Sequence, residues 1–337
     1  MRAVVLSDGG DLAVCIIPDP MPGPHEVVVA VRGCGVCGSD VHWVASRSGP
    51  RGMILGHEFW GEIAEVGPQV TQWKCGDLVA VNPIGGCGFC PACRRRMPFA
   101  CRHRPNLGIN APGAFAEYVV VPEDQLCRIP AYANPEHASC VEPLAVALRA
   151  VELSGGVANK EVLVYGVGPI GLHLILALRQ QGARTVVAVG RSVTRREAAK
   201  AFGADEVIDA TAIDVPSHIG NFFEDFDVAF ECSGAPAGVQ ACLSALQFGG
   251  RLVQVGLSSL PFSMAVSQVV AKGLHWIGSC AFDADTFQKA HELICTGLID
   301  PGSLVGEQIS LNQVPSAFEK LLGANPPVKI RINPRLT

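Results

Sequence analysis

The sequence predicts an α/β protein in which a doubly wound parallel sheet is joined to a second, mostly β domain. Three observations carry that reading. A chain of 337 residues exceeds the usual size of one hydrophobic core. Near Leu144 its texture changes, from short β-type runs broken by Gly and Pro to strand-like and helix-like segments in alternation. And Gly166-Val167-Gly168-Pro169-Ile170-Gly171 falls where a strand should hand over to a helix.

Taken in order, residues 1–147 hold a first strand in Met1 to Leu6 and further β runs at Glu26 to Val31, Gly61 to Val66 and Phe115 to Val121. Their irregular spacing and turn residues predict a mostly antiparallel domain. Residues 148–279 alternate buried strands (Glu161 to Tyr165, Arg184 to Val189, Phe226 to Cys232, Gly250 to Val255) with helices (Pro169 to Gln180, Thr194 to Phe202, Gly238 to Leu246). Such βαβ texture predicts the parallel sheet. Residues 280–337 offer one amphipathic helix, Ala284 to Thr296, and a polar tail with Pro326, Pro327 and Pro334. That segment is too small to fold alone and is expected to return to the first domain. There is no internal repeat, low-complexity tract or heptad pattern.

Composition excludes several classes of function. The formal charge of -5 leaves no basic excess for a phosphate backbone, and Arg94 to Arg96 is too short a run to form a nucleic-acid patch. No apolar stretch is long enough to span a bilayer. The opening residues read as a strand rather than a secretory signal, so a cytoplasmic location is expected. Small molecules are the expected partners.

Four of the 14 cysteines lie within fifteen residues, which favours metal thiolates over a disulfide framework. Cys87, Cys90, Cys93 and Cys101 follow C-x2-C-x2-C-x7-C, and four thiolates close a tetrahedron with no position left for substrate. A structural zinc is expected; an iron–sulfur cluster or buried thiols are the alternatives. A second constellation is scattered over Cys37-Gly38-Ser39-Asp40, His57-Glu58 and Glu142-Pro143-Leu144. Singly, these fit a buried cysteine, a core histidine and a helix start. Together they offer sulfur, imidazole and carboxylate, which suits zinc with a coordination position free.

With these motifs on the page, the chain resembles the zinc-containing medium-chain alcohol dehydrogenases over essentially its full length. It is most similar to their polyol branch, sorbitol dehydrogenase and L-idonate 5-dehydrogenase, through Cys-Gly-Ser-Asp-Val-His at 37–42, Glu-Pro-Leu-Ala-Val-Ala at 142–147 and Phe-Asp-Val-Ala-Phe-Glu-Cys-Ser-Gly at 226–234. The resemblance implies a GroES-like catalytic domain beside a Rossmann domain, with two zinc ions per chain. Cys37, His57 and Glu142 would surround the catalytic zinc, Glu142 directly or through water, and Glu58 would enter its shell during exchange. Cys140 is a rival for Glu142. Asp40 would accept the free ring N–H of His57, and Ser39 and His42 would relay the substrate proton to solvent. A homodimer or homotetramer is implied too.

The glycine pattern has the chemistry of a dinucleotide site. Gly166 permits the turn, Gly168 lets backbone approach the pyrophosphate, Gly171 lets helix and strand touch, and Pro169 and Ile170 open the helix whose N-terminus binds the anion. The following strand ends in Gly190-Arg191-Ser192, not in the acid that would bind a ribose 2′-hydroxyl. Arg191, with Arg195 or Arg196 as a second cation, would pair with a 2′-phosphate, so NADP(H) is expected over NAD(H).

The expected reaction is hydride transfer between a secondary alcohol and NADP(H), the alcohol being a polyol or a sugar acid such as L-idonate. Cyclitols, amino alcohols and simple alcohols are alternatives, as is a non-enzymatic NADP-binding sensor. Polyol dehydrogenases commonly place an arginine where this chain has Cys280-Ala281-Phe282, which weakens the sugar-acid reading. Trp43, Phe59, Phe115 and Phe282 are candidates for pocket walls or for core.

Overall fold

The structure is a computed structural model, and it describes every residue except 8–9, 213–214, 216–217, 219–225, 259–260, 265, 324 and 337. The chain separates into two compact units, one formed by Met1–Ala145 with Phe282–Thr337 and the other by Val146–Ala281.

In the first unit, β1 (Arg2–Leu6) and β2 (Leu12–Ile16) form an antiparallel ribbon. The organising strand is β3 (Glu26–Gly35), whose β-branched run buries Val27, Val29 and Val31 completely. After α1 (Gly38–Ser46) come β4 (Glu58–Val66) and β5 (Leu78–Val81), then the short α2 (Pro91–Arg94) among the clustered cysteines, then β6 (Tyr118–Pro122) and β7 (Leu126–Arg128). Strand β3 is antiparallel to both β4 and β6. Two register shifts in the β3–β4 pair bend the ladder, and its last pair is Gly35 with Glu58.

Helix α3 (Val141–Leu153) leads into the second unit. There β8 (Glu161–Tyr165), α4 (Pro169–Gln180), β9 (Thr185–Gly190), α5 (Val193–Ala201), β10 (Glu206–Asp209), β11 (Phe226–Glu231), α6 (Pro236–Ala245), β12 (Leu246–Gln254), α7 (Val266–Lys272) and β13 (His275–Gly278) follow in turn. The six strands lie in the order β10-β9-β8-β11-β12-β13, and every neighbouring pair is parallel. Strand order therefore reverses between β8 and β11, the crevice at which such sheets bind ligands. Strand β12 begins at Leu246 rather than Gly250, because Phe226 pairs with Leu246 before a shift in register admits the two glycines.

The chain then returns to the first unit through α8 (Ala284–Cys295), β14 (Glu307–Ile309), α9 (Val314–Leu322) and β15 (Ile330–Ile332). Asp283 caps α8 by accepting from the Thr286 N–H at 3.0 Å. Strand β15 lies antiparallel to β3, with Arg331 opposite Gly35 and Ile332 opposite Cys34. Ile309, Leu311, Phe318, Ile330 and Ile332 thereby join Val27, Phe59 and Phe115 in one core. Among the described residues no helix is long and apolar enough to cross a membrane.

Candidate metal centre and dinucleotide loop

Local backbone chemistry sets Cys37 at the head of α1. Its N–H donates to Asp40 Oδ2 at 3.0 Å, closing a capping box with the third helical residue. His57 and Glu58 open β4, behind Gly56, whose φ is +97° and where a Cβ would fall 2.4 Å from the Phe115 ring. The ligand atoms of Cys37, His57 and Glu58 all lie within 4.8 Å of one another. His57, Glu58 and Glu142 are buried. Glu142, in the first turn of α3, lies outside that tight trio but close enough to interact electrostatically with His57, Glu58 and Cys37.

The electrostatics fit a cation. Burial, with the Glu58 and Asp40 carboxylates adding to it, pushes the Cys37 thiol up to about 12. Burial likewise holds Glu142 well above the usual carboxylate range. For His57 burial acts downward, yet the carboxylates of Asp40, Glu142 and Glu58 outweigh it and raise the imidazole. The ammonium of Lys329, paired with Glu58, answers one of these acidic groups, and a divalent metal would answer the others.

One detail differs from the sequence expectation. His57 Nδ1 stands 3.7 Å from Asp40 Oδ1, an ion-pair distance rather than the expected hydrogen bond, because the other Asp40 oxygen is held by the cap of α1. Of the two roles left open for them, Phe59, Phe115 and Phe282 take the core, each at most 1% exposed. Phe115 meets Phe318 edge-on and Phe282 lies against Phe287, while Trp43 is partly buried on the same core as Phe115. Ser39 acts on the Cys37 thiol in the opposite, lowering direction, and the exposed His42 lies three residues on from Ser39, along one face of α1.

Sequence reasoning missed Lys329. This lysine is only 3% exposed, and its Nζ ion-pairs with Glu58 Oε2 inside the metal set. It stands just ahead of β15 and reaches Glu58 across β3 through long-range strand pairing, which no local motif announces.

The second cysteine set is local. Cys87, Cys90, Cys93 and Cys101 also bring their sulfurs within 4.8 Å of one another. Backbone N–H groups of Cys90, Cys93 and His103 point at the sulfurs of Cys87, Cys90 and Cys101, at 3.4, 3.5 and 3.4 Å. At Cys101 burial acts upward, but backbone N–H groups of His103, Cys87 and Arg104, with the Cys87 side chain, prevail and bring the thiol down to about 6. An ion pair of 2.5 Å from Arg96 to Asp283 ties this lobe to the start of α8.

In the second unit, Gly166 has φ of +101° and a Cβ there would fall 2.8 Å from the Ser233 nitrogen. A Cβ on Gly171 would fall 1.9 Å from the Gly166 carbonyl. At Gly168 a Cβ would meet nothing within 4 Å, so the space beside this turn is open. Gly168 is the N-cap of α4 without a side-chain cap, and Pro169 follows, so the first N–H groups of the helix face outward for an anion. Gly190 is required for a reason the sequence hid: a Cβ there would lie 2.1 Å from Val167 Cγ2. Arg191 is exposed, whereas Arg196 donates to the Arg191 carbonyl at 2.6 Å and pairs with Asp209 at 2.7 Å. Asp209 enters from β10, in register with Gly190.

Comparison with known proteins identifies the family. Residues 23–131 match the family model of the alcohol dehydrogenase GroES-like domain, and residues 169–296 match that of zinc-binding dehydrogenases. The chain is 33% identical over 334 residues to the sorbitol dehydrogenase of Bacillus subtilis (strain 168), spanning 96% of this chain and 94% of that one. It belongs to the zinc-dependent medium-chain alcohol dehydrogenases. This dehydrogenase is also 32% identical over 320 residues to an L-threonine 3-dehydrogenase of Rhizobium johnstonii, covering 92% and 91% of the two chains. A solved protein of Sinorhizobium meliloti 1021, described as a zinc-binding dehydrogenase bound to NADP, superposes with a TM-score of 0.91 at 32% identity over 99% of each chain.

Proposed function

We propose that this dehydrogenase oxidises a secondary alcohol of polyol type, or reduces the matching ketone, with NADP(H) as the preferred partner. The observation that carries the reading is the convergence of half-buried Cys37 with buried His57 and Glu58, with Glu142 at their margin. Cys37, His57 and Glu142 would hold a catalytic zinc, and Cys87, Cys90, Cys93 and Cys101 a structural one. Bound there, zinc supplies Lewis acidity toward the alcohol oxygen, and the dinucleotide supplies the hydride acceptor. Ser39 receives the hydroxyl proton while passing its own to His42, whose exposed imidazole returns it to solvent. Asp40, held by the cap, keeps a carboxylate facing His57. The N-terminus of α4 binds the pyrophosphate and Gly168 leaves it room.

Preference for NADP rests on Arg191, which is exposed at the end of β9, and on the lack of an acid at position 190. The relative solved with NADP supports it. Arg196 acts indirectly in this reading, holding the Gly190–Arg191 carbonyls with Asp209 as counterion. A neutral polyol is favoured over a sugar acid, since Ala281 brings no cation for a carboxylate. The relatives named for threonine make amino alcohols the second class to test. A cytoplasmic homo-oligomer is the accompanying proposal.

The test is a screen of polyols, sugar acids, cyclitols, amino alcohols and simple secondary alcohols with both dinucleotides, read as kcat/KM. A polyol with NADP should give the highest value. A tenfold advantage for NAD, about 1.4 kcal/mol, would end the NADP reading, and no turnover on any alcohol would leave only a dinucleotide-binding protein.

A further inference from the structure

Around Cys37 the structure assembles acids on every side, Asp40, Glu58 and Glu142, and answers them with Lys329. Both members of the Lys329–Glu58 pair are almost wholly buried, at 3% and 1% exposure. Their placement depends on three strands at once. Gly35 of β3 stands opposite Glu58 on β4 and opposite Arg331 on β15, two residues beyond the lysine. A Cβ on Gly35 would fall 2.2 Å from Glu58 Oε2 and 3.0 Å from Lys329 Cε. Glycine at position 35 therefore clears the space in which the pair meets.

We infer that Lys329 is a positioning residue that keeps Glu58 a releasable ligand. The inference rests on the reading of Cys37, His57 and Glu142 as metal ligands. A carboxylate buried this deeply must have a positive partner. With Lys329 present, Glu58 would have two: the ammonium on Oε2 and a metal held by Cys37, His57 and Glu142. It can therefore withdraw onto the lysine when water or substrate needs the open position, without becoming an unpaired buried charge. With Lys329 removed, the metal is its sole partner, and the open position is held shut. The C-terminal segment then contributes chemistry to the site as well as core.

The experiment uses the full chain loaded with cobalt(II), whose visible absorption reports the ligand set. Release to a chelator such as 1,10-phenanthroline is followed for the wild type and for K329M, K329R and K329M/E58Q, with C37S giving the signal of the four-cysteine cage alone. K329M should release the open-site cobalt more slowly, on the order of tenfold, with a shifted absorption band and kcat reduced by a similar factor. K329R, which keeps the charge, should stay near the wild type. K329M/E58Q, which removes both charges, should regain fast release, a rescue that mere damage to folding would not produce. Release from K329M at the wild-type rate or faster with an unchanged band would overturn the inference, as would a double variant that stays slow. If the wild type itself takes up no cobalt beyond the cage signal, the metal-ligand reading falls and this inference with it. Cobalt that loads normally but ignores Lys329 sinks the lysine's role alone.

Discussion

Cys37 combines two duties, capping α1 and offering a thiolate, and serine can perform only the first. Cys37→Ser should leave the fold in place, abolish metal binding at the proposed catalytic site and lower activity by roughly a thousandfold, several kcal/mol of lost stabilisation. Metal analysis beside steady-state kinetics checks it; full activity would remove Cys37 from the site. Asp77 is a residue of a different kind. Hydrogen bonding from Arg128, and then from Lys74, holds its carboxyl down at about 2. A depressed folded-state value means that the stabilisation is complete above the ordinary carboxylate range and disappears as pH falls toward 2. Asp77→Asn should therefore cost on the order of 1 kcal/mol at pH 7, a figure kept low by solvent screening. Lys74 is 79% exposed, which is the reason for that discount. The cost should vanish near pH 2, as denaturant titrations at the two pH values would show.

Among elements, the cysteine lobe is held by its own sequence. Residues 87–101 carry all four sulfurs, and α2 is a single short turn with Arg94 and Arg95 exposed. A chelator that strips this cage should make the lobe sensitive to trypsin at those arginines while dinucleotide binding survives. Equal protease resistance with and without metal would show that the cage does not hold the lobe. The end of β9 gives a sharper case. Gly190→Asp is the obvious route to an NAD-binding acid, but its Cβ would collide with Val167 Cγ2. The single variant should lose affinity for both dinucleotides. Val167→Ala with Gly190→Asp should recover NAD and not NADP, measured as the two dissociation constants. The strands and helices of this unit were legible because apolar runs and glycine turns are local signals. The cysteine cage was legible for the same reason. Asp209 was not, since it reaches the end of β9 only through pairing with β10, and Lys329 was hidden the same way behind β15 and β3. The aromatic residues stayed open between pocket and core, because sequence marks Phe59 and Phe282 as large and apolar without saying which space they fill.

For the whole molecule, the decisive feature is that the first unit is discontinuous. Its core takes Val27, Phe59 and Phe115 from one part of the chain and Ile309, Phe318 and Ile332 from the other. Ile332→Ala should cost about 2–5 kcal/mol, typical of emptying a fully buried site. Because β15 aligns Lys329 beside Glu58, the same change should also alter metal retention at the open site and leave the cage untouched. A scan of metal content against denaturant would separate the two sites; if they fail together, β15 does not serve the open site selectively. The layout also imposes a schedule on synthesis. Domains tend to fold as they leave the ribosome, N-terminal parts first, so the cysteine lobe can capture its ion while most of the chain is still unmade. Cys37, His57 and Glu58 emerge early as well, yet the core that seats them is completed by Ile309, Phe318 and Ile332, which are translated only after residues 146–281. The two metals of one polypeptide would thus be acquired at different moments of its life, the structural one during translation and the reactive one close to its completion.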